Sequence, residues 1–236
     1  MLIRRKFSPE AAIRINVLVD AYVTSFLGAS VGYLTIQSGL ESQGVLHAVG
    51  IGIVIGTVLS LPLARLGDVV GETTVLGGVQ ILQFVSYIAL GIVPGHIPML
   101  GTLVGIFLLG RFVSPLRGAL PPRYLQKEEL VSFKVALRTS TLTVVLLGTA
   151  TVSCALFFGI PIRIFSSILG GIGYLICILS TQVLKKMQQV EVVRRNSFAL
   201  RLSLGSDVWI SCLKVVISFA IIAVSYTHLT LPTTPY

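Results

Sequence analysis

Residues 44–93 read GVLHAVGIGIVIGTVLSLPLA (44–64), RLGDVVGET (65–73) and TVLGGVQILQFVSYIALGIV (74–93). Two runs of about twenty apolar residues, each the length a helix needs to cross a bilayer, flank a short charged reversal. A run of this length with no interior charge has no place on a soluble domain. Working outward, similar runs occur near 15–36, 98–116, 139–159, 164–184 and 207–224. Turn residues separate them: Gln37-Ser38-Gly39, Pro94-Gly95-His96 and Gly159-Ile160-Pro161. The first run is too long and too polar at its head for a cleaved signal peptide and lacks a small-residue cleavage site, so it counts as a span.

Composition agrees. Hydrophobic residues make up 54% of the 236 and charged residues 11%, with mean hydropathy +0.91. A soluble domain carries about twice that charge. The net charge of +9 does not indicate nucleic acid, because the cations lie between apolar runs and form no single patch. With the N-terminus placed in the cytoplasm, 15 of the 18 Lys and Arg fall on the inner side, as translocation of cations is disfavoured. The fold expected is therefore all-α and transmembrane, multi-pass, in a cell (cytoplasmic or inner, plasma) membrane. Cys154, Cys177 and Cys212 all sit in apolar runs without metal or disulfide spacing and read as buried, inert thiols.

The domain reading follows from loop lengths. Residues 1–184 form a six-span bundle, 185–206 a charged cytoplasmic linker beginning at Lys185-Lys186, and 207–224 part of a seventh span. The stretch from Val224, VSYTHLTLPTT, breaks the pattern and resembles the conceptual translation of a transposon-based sequencing adaptor. Residues 225–236 are accordingly expected to be non-native and the seventh span truncated.

The segment from Ala64 to Leu76 resembles the loop between the second and third helices of the major facilitator superfamily (MFS). Leu66, Gly67, Asp68, Gly71 and Leu76 match its pattern, while Val69, Glu72 and Thr73 stand where the family has Arg or Lys. Gly71 permits a tight reversal, and a carboxylate there can cap a helix N-terminus. Arg111 within span 4, with Ser114-Pro115 and Gly118, is similar to the Arg-bearing fourth helix of the same superfamily, and Pro121-Pro122-Arg123-Tyr124 with Glu128-Glu129 and Arg138 looks like its 4–5 loop. The Gly-Pro pair of its drug–proton antiporters is absent from span 5. The resemblance implies an MFS-like N-terminal six-helix bundle that, with a missing C-terminal half of the same chain, moves a small-molecule substrate by alternating access. Protons are the expected coupling ion.

Intramembrane charge marks candidate function, because an unpaired charge in hydrocarbon costs several kcal/mol. Asp20 in span 1 and Arg111 in span 4 each lie about five residues, roughly 7–8 Å, from the same surface. They are expected to pair. Gln80 and Gln83, three apart on span 3, share a face and are candidate cavity-lining residues, as are Tyr33, Tyr87 and Tyr174. Small-residue faces at Gly52/Gly56, Gly101/Gly105 and Gly170-Gly171/Gly173 fit close helix packing. Gly170-Gly171-Ile172-Gly173 follows no strand, so no nucleotide cofactor is expected. His47 and His96 have no second ligand at metal spacing, so no metal is expected either. With no Ser/His/Asp set and one clear carboxylate in the spans, no catalytic residues are assigned. An intramembrane lipid-modifying enzyme and a non-transporting membrane scaffold stand as the alternatives to a transporter.

Overall fold

The computed structural model of the chain describes residues 8–37 and 42–192, so the proposed seventh span, the rest of the linker and the tail lie outside the described residues. Seven helices follow in order: α1 (Pro9–Gln37), α2 (Ser42–Val70), α3 (Glu72–Ile92), α4 (His96–Ala119), the single turn α5 (Pro121–Tyr124), α6 (Lys127–Phe157) and α7 (Ile162–Val192). Six of them, α5 excepted, are long and apolar enough to cross a membrane. This is the build of a multi-pass membrane protein, in which each backbone polar group is satisfied within its own helix.

The helices start where the punctuation residues end the previous ones, but they run further than the apolar stretches. The reversal between α2 and α3 shrinks to Gly71 alone, whose φ of 106° is open to glycine and strained for other residues. The segment 127–138, expected as loop, is the first part of α6. Its Lys, Glu, Leu, Ala and Arg are good helix formers, so the charged end of the helix continues beyond the apolar run. Likewise α7 runs on to Val192, making the first residues of the expected linker helical.

Neighbouring helices pack in the order α6, α1, α7, α3, α4, α2, with α2 also against α3. Two apolar clusters fill the centre. One, toward the end where α1, α3 and α6 begin, gathers Ile13, Leu76, Val79, Val113, Leu116 and Leu184. The other, toward the opposite end, gathers Leu27, Tyr87, Leu90, Leu103, Ile162 and Tyr174. The first of these ends is called the basic end below, since it carries Arg14, Arg123, Lys134, Arg138, Lys185 and Lys186.

Small residues set the closest approaches. A Cβ on Gly56 would lie 2.8 Å from the Leu108 carbonyl oxygen of α4, and one on Gly148 would lie 2.8 Å from the Tyr22 carbonyl oxygen of α1. One on Gly170 would run into the Tyr87 ring. Gly101 and Gly105, expected to do the same on α4, have nothing within 4 Å; α4 presents Val104 and Leu108 to the glycines of α2 instead. Cys154, expected buried, is exposed on α6, whereas Cys177 is fully buried. In a membrane helix an apolar position faces lipid as readily as core, which accounts for the difference.

Substituting Gly148 by Val is expected to force α1 and α6 apart and to lower the thermal midpoint of the detergent-solubilised protein, at a cost of about 1–3 kcal/mol. Gly28, exposed with nothing within 4 Å, is the control. Gly28→Ala is expected to leave the midpoint unchanged or raise it.

Candidate functional site

Between the two apolar clusters lies a polar layer to which four helices contribute. The spacing on each helix brings its polar residues to one face: Asn16 and Asp20 on α1, Gln80 and Gln83 on α3, and Tyr174, Cys177 and Thr181 on α7. α4 supplies Arg117, two residues before its C-terminus.

The centre of the layer is Arg117. Its Nη1 forms an ion pair with Asp20 Oδ2, and its side chain is only 7% exposed, against 19% for Asp20. Its Nε–H donates to Asn16 Oδ1 at 2.6 Å. The Tyr174 hydroxyl donates to Asp20 Oδ1, and the Tyr174 ring stacks on Tyr87 with centroids 5.3 Å apart.

Asn16 carries the bonding further. Its Oδ1 also accepts from Gln80 Nε2 at 3.1 Å. Its Nδ2 lies 3.0 Å from the Cys177 carbonyl oxygen and 2.9 Å from both Ser180 Oγ and Thr181 Oγ1. Thr181 in turn donates to Gln80 Oε1 at 2.8 Å, closing a ring of side chains across α1, α3 and α7. An arginine left unpaired here would be a severe penalty, and the pair is supported because hydrogen bonds occupy the remaining donors and acceptors.

The expected partner of Asp20 was Arg111, and the structure corrects it to Arg117. Arg111 lies on an exposed position of α4, with its Cβ beside Gly56 of α2. Arg117 fell outside the sequence reading because span 4 was ended at 116, which placed it among the loop cations. Asn16 was missed as well, though it sits one helical turn from Asp20, a spacing that could have drawn attention to it.

The other expected residues are dispersed. Gln80 is fully buried and ties helices together, so it faces no open cavity. Gln83 is equally buried, and among the described residues neither its Nε2 nor its Oε1 has a hydrogen-bond partner. Tyr87 and Tyr174 are buried in the stack, and Tyr33 stands 37% exposed on α1.

The motif at the α2–α3 reversal forms a second, surface cluster. Gly71 is the N-cap of α3 without any side-chain cap, so Asp68 does not cap the helix as expected. Instead, Arg123 of α5 reaches Glu72 at 2.6 Å and Asp68 at 3.8 Å. The basic end of α4 and α5 is thereby latched to the start of α3. Leu66 is exposed, whereas Leu76 is in the core and Gly67 abuts Leu116. At the opposite end Arg163 of α7 donates to the Leu90 and Val93 carbonyl oxygens that terminate α3. Among the described residues no group of three His, Cys, Asp or Glu is placed to hold a metal.

No protein-family model matches the chain, and no curated protein matches it.

A double-mutant cycle on Asp20→Asn and Arg117→Gln tests the pair. Each single substitution leaves a buried charge without its partner and is expected to cost about 3 kcal/mol of stability. The double variant is expected to cost well under the sum. Unfolding of the solubilised protein reads the cycle, and additive losses would show that the two groups do not interact.

Proposed function

We propose that the chain forms one half of a secondary active transporter of the major facilitator type, with the basic end in the cytoplasm. The observation that carries this reading is the chemistry of the exposed helix faces. On α3 and α7 the exposed residues are mostly large and aliphatic, among them Ile81, Val85, Ile88, Ile168, Ile172 and Leu179, with Thr74, Gly78 and Gln182 nearer the basic end. The aliphatic ones suit hydrocarbon. On α1 the exposed residues are Thr24, Gly28, Ala29, Gly32, Tyr33 and, in the last turn, Ile36, and on α4 they include Gly101, Arg111, Ser114 and Gly118. A cation and hydroxyls facing lipid would be costly, whereas the same residues suit a water-filled path or a facing polar partner.

These two faces adjoin the Asp20–Arg117 pair, which gives the reading a coupling element. With Asp20 ionised, α1 and α4 are held together by charge. With Asp20 protonated that attraction is lost, and a shift of α1 against α4 becomes accessible. The loop motif and the Arg-bearing fourth helix support the same family, and the asymmetry of Lys and Arg supports the orientation. The substrate would lie between two such halves, near the midplane.

Cysteine accessibility in vesicles checks the path. In a Cys154→Ser, Cys212→Ser background, cysteines at Thr24, Gly28 and Ser114 are expected to react with a membrane-impermeant thiol reagent. Cysteines at Val85 and Ile172 are expected not to react. If Thr24 and Ser114 prove as inert as Val85, their face is lipid-covered and the transport reading fails.

A further inference from the structure

α6 is held to the bundle almost wholly by α1, and its contact with α7 is slight. Between α6 and α7, with α1 as floor, an apolar groove of about 350 Å³ remains, lined by Leu18, Tyr22, Val144, Leu169, Ile172 and Ile176. Gly173 lets α7 sit close on that floor; a Cβ there would come within 2.5 Å of Val23. The one polar atom on the lining side chains, the Tyr22 hydroxyl, is 2.9 Å from Thr151 Oγ1 of α6. Thr151 directs its own proton to the Leu147 carbonyl, so Tyr22 is the donor. That bond closes the groove toward the opposite end.

We propose that this groove binds the acyl chain of an anionic phospholipid from the leaflet at the basic end. The inference requires that the helices span a bilayer and is independent of transport. Three observations select the occupant. Apart from the Tyr22 hydroxyl the lining is hydrocarbon, and it opens on the lipid-facing side of the bundle, where Ile172 and Ile176 are exposed.

The register of α7 sets the depth. Ile172, Ile176, Leu179, Val183 and Lys186 follow at spacings of four, three, four and three, a single stripe along one helix face. Ten residues separate Ile176 from Lys186, about 15 Å along the axis, close to the half-thickness of a hydrocarbon core. A headgroup at Lys186 therefore brings the end of its chain to Ile176, the α7 lining residue nearest the basic end, with Ile172 and Leu169 deeper along the groove.

Charge then selects the leaflet and the headgroup. Lys134 and Arg138 of α6 stand exposed at the same end as Lys185 and Lys186. Arg14 of α1 sits there over the Phe133 ring, 5.3 Å from its centroid, and is paired with Glu10 at 2.7 Å. Glu128 and Glu129 lie further out, in the first turn of α6, and leave the four exposed cations in excess. At the opposite end, among the described residues, the cation of the α6–α7 hairpin is Arg163, already committed to the carbonyls of α3. Among the described residues of that hairpin a phosphate finds no uncommitted cation there.

The test uses the full chain reconstituted in phosphatidylcholine vesicles, with a single tryptophan in the groove from Val144→Trp in a Trp209→Phe background. Phosphatidylglycerol or phosphatidylcholine carrying bromines near the chain ends is added as quencher. Quenching at the groove is expected to favour the anionic lipid by about fivefold in affinity for each headgroup cation. A reporter from Leu146→Trp, exposed on α6 outside the groove, is expected to show no preference. Lys134→Gln, Arg138→Gln, Lys185→Gln and Lys186→Gln together are expected to abolish the preference at the groove. Leu169→Trp is the second reporter should Val144→Trp not fold. Equal quenching by the two lipids, equal preference at groove and control, or a preference that survives the four substitutions together overturns the proposal.

Discussion

One guanidinium in an apolar bundle is the constraint around which the helices are arranged. Arg117 is almost wholly enclosed, and its own helix supplies neither the carboxylate nor the amide oxygen that it binds. α1 brings both, from residues one turn apart. α3 and α7 then hold Asn16 in position through Gln80, Ser180 and Thr181. The four helices that meet at the polar layer are thus joined by directional bonds, which resist sliding more than apolar contact does. In hydrocarbon, where lipid tails compete equally for apolar surface, interhelical hydrogen bonds and close backbone approach are the forces left to specify packing.

The two remaining helices use the second of these forces. α2 meets α4 through Gly52 and Gly56, and α6 meets α1 at Gly148; neither contributes a side chain to the network on Arg117. The bundle therefore has a bonded centre of α1, α3, α4 and α7, flanked by helices seated through shape. Latches at both ends complete it, Arg123 on Glu72 at the basic end and Arg163 on the carbonyls of α3 at the other. The groove between α6 and α7 is a direct result of seating α6 almost wholly on α1.

The membrane-spanning helices were legible in the sequence because hydrophobic length is a local property, and glycine and proline mark where a helix cannot continue. Their ends were less so. Residues 127–138 read as a loop from their charges, yet helix propensity and hydropathy are separate quantities, and a helix leaving the apolar layer keeps its backbone bonds. The misplacement of α4's end had the largest consequence. Asp20 was recognised as an intramembrane charge, but with Arg117 assigned to a loop the pairing went to Arg111, the cation that stood inside the apolar run. Asn16 and Thr181 illustrate a different limit. Their role arises from the convergence of three helices, and nothing in their flanking residues encodes that. Gln80 and Gln83 are three apart on one helix, but which of them finds partners depends on what α1 and α7 place opposite.

The most direct test of this arrangement is a dipolar-coupling measurement by solid-state NMR on the full chain in lipid bilayers, between the carboxylate carbon of Asp20 and arginine guanidinium nitrogens. Asp20→Asn identifies the carbon signal. The account predicts a strong coupling that disappears in Arg117→Gln and persists in Arg111→Gln. A coupling lost in Arg111→Gln, or none at all in the unmodified chain, would contradict it.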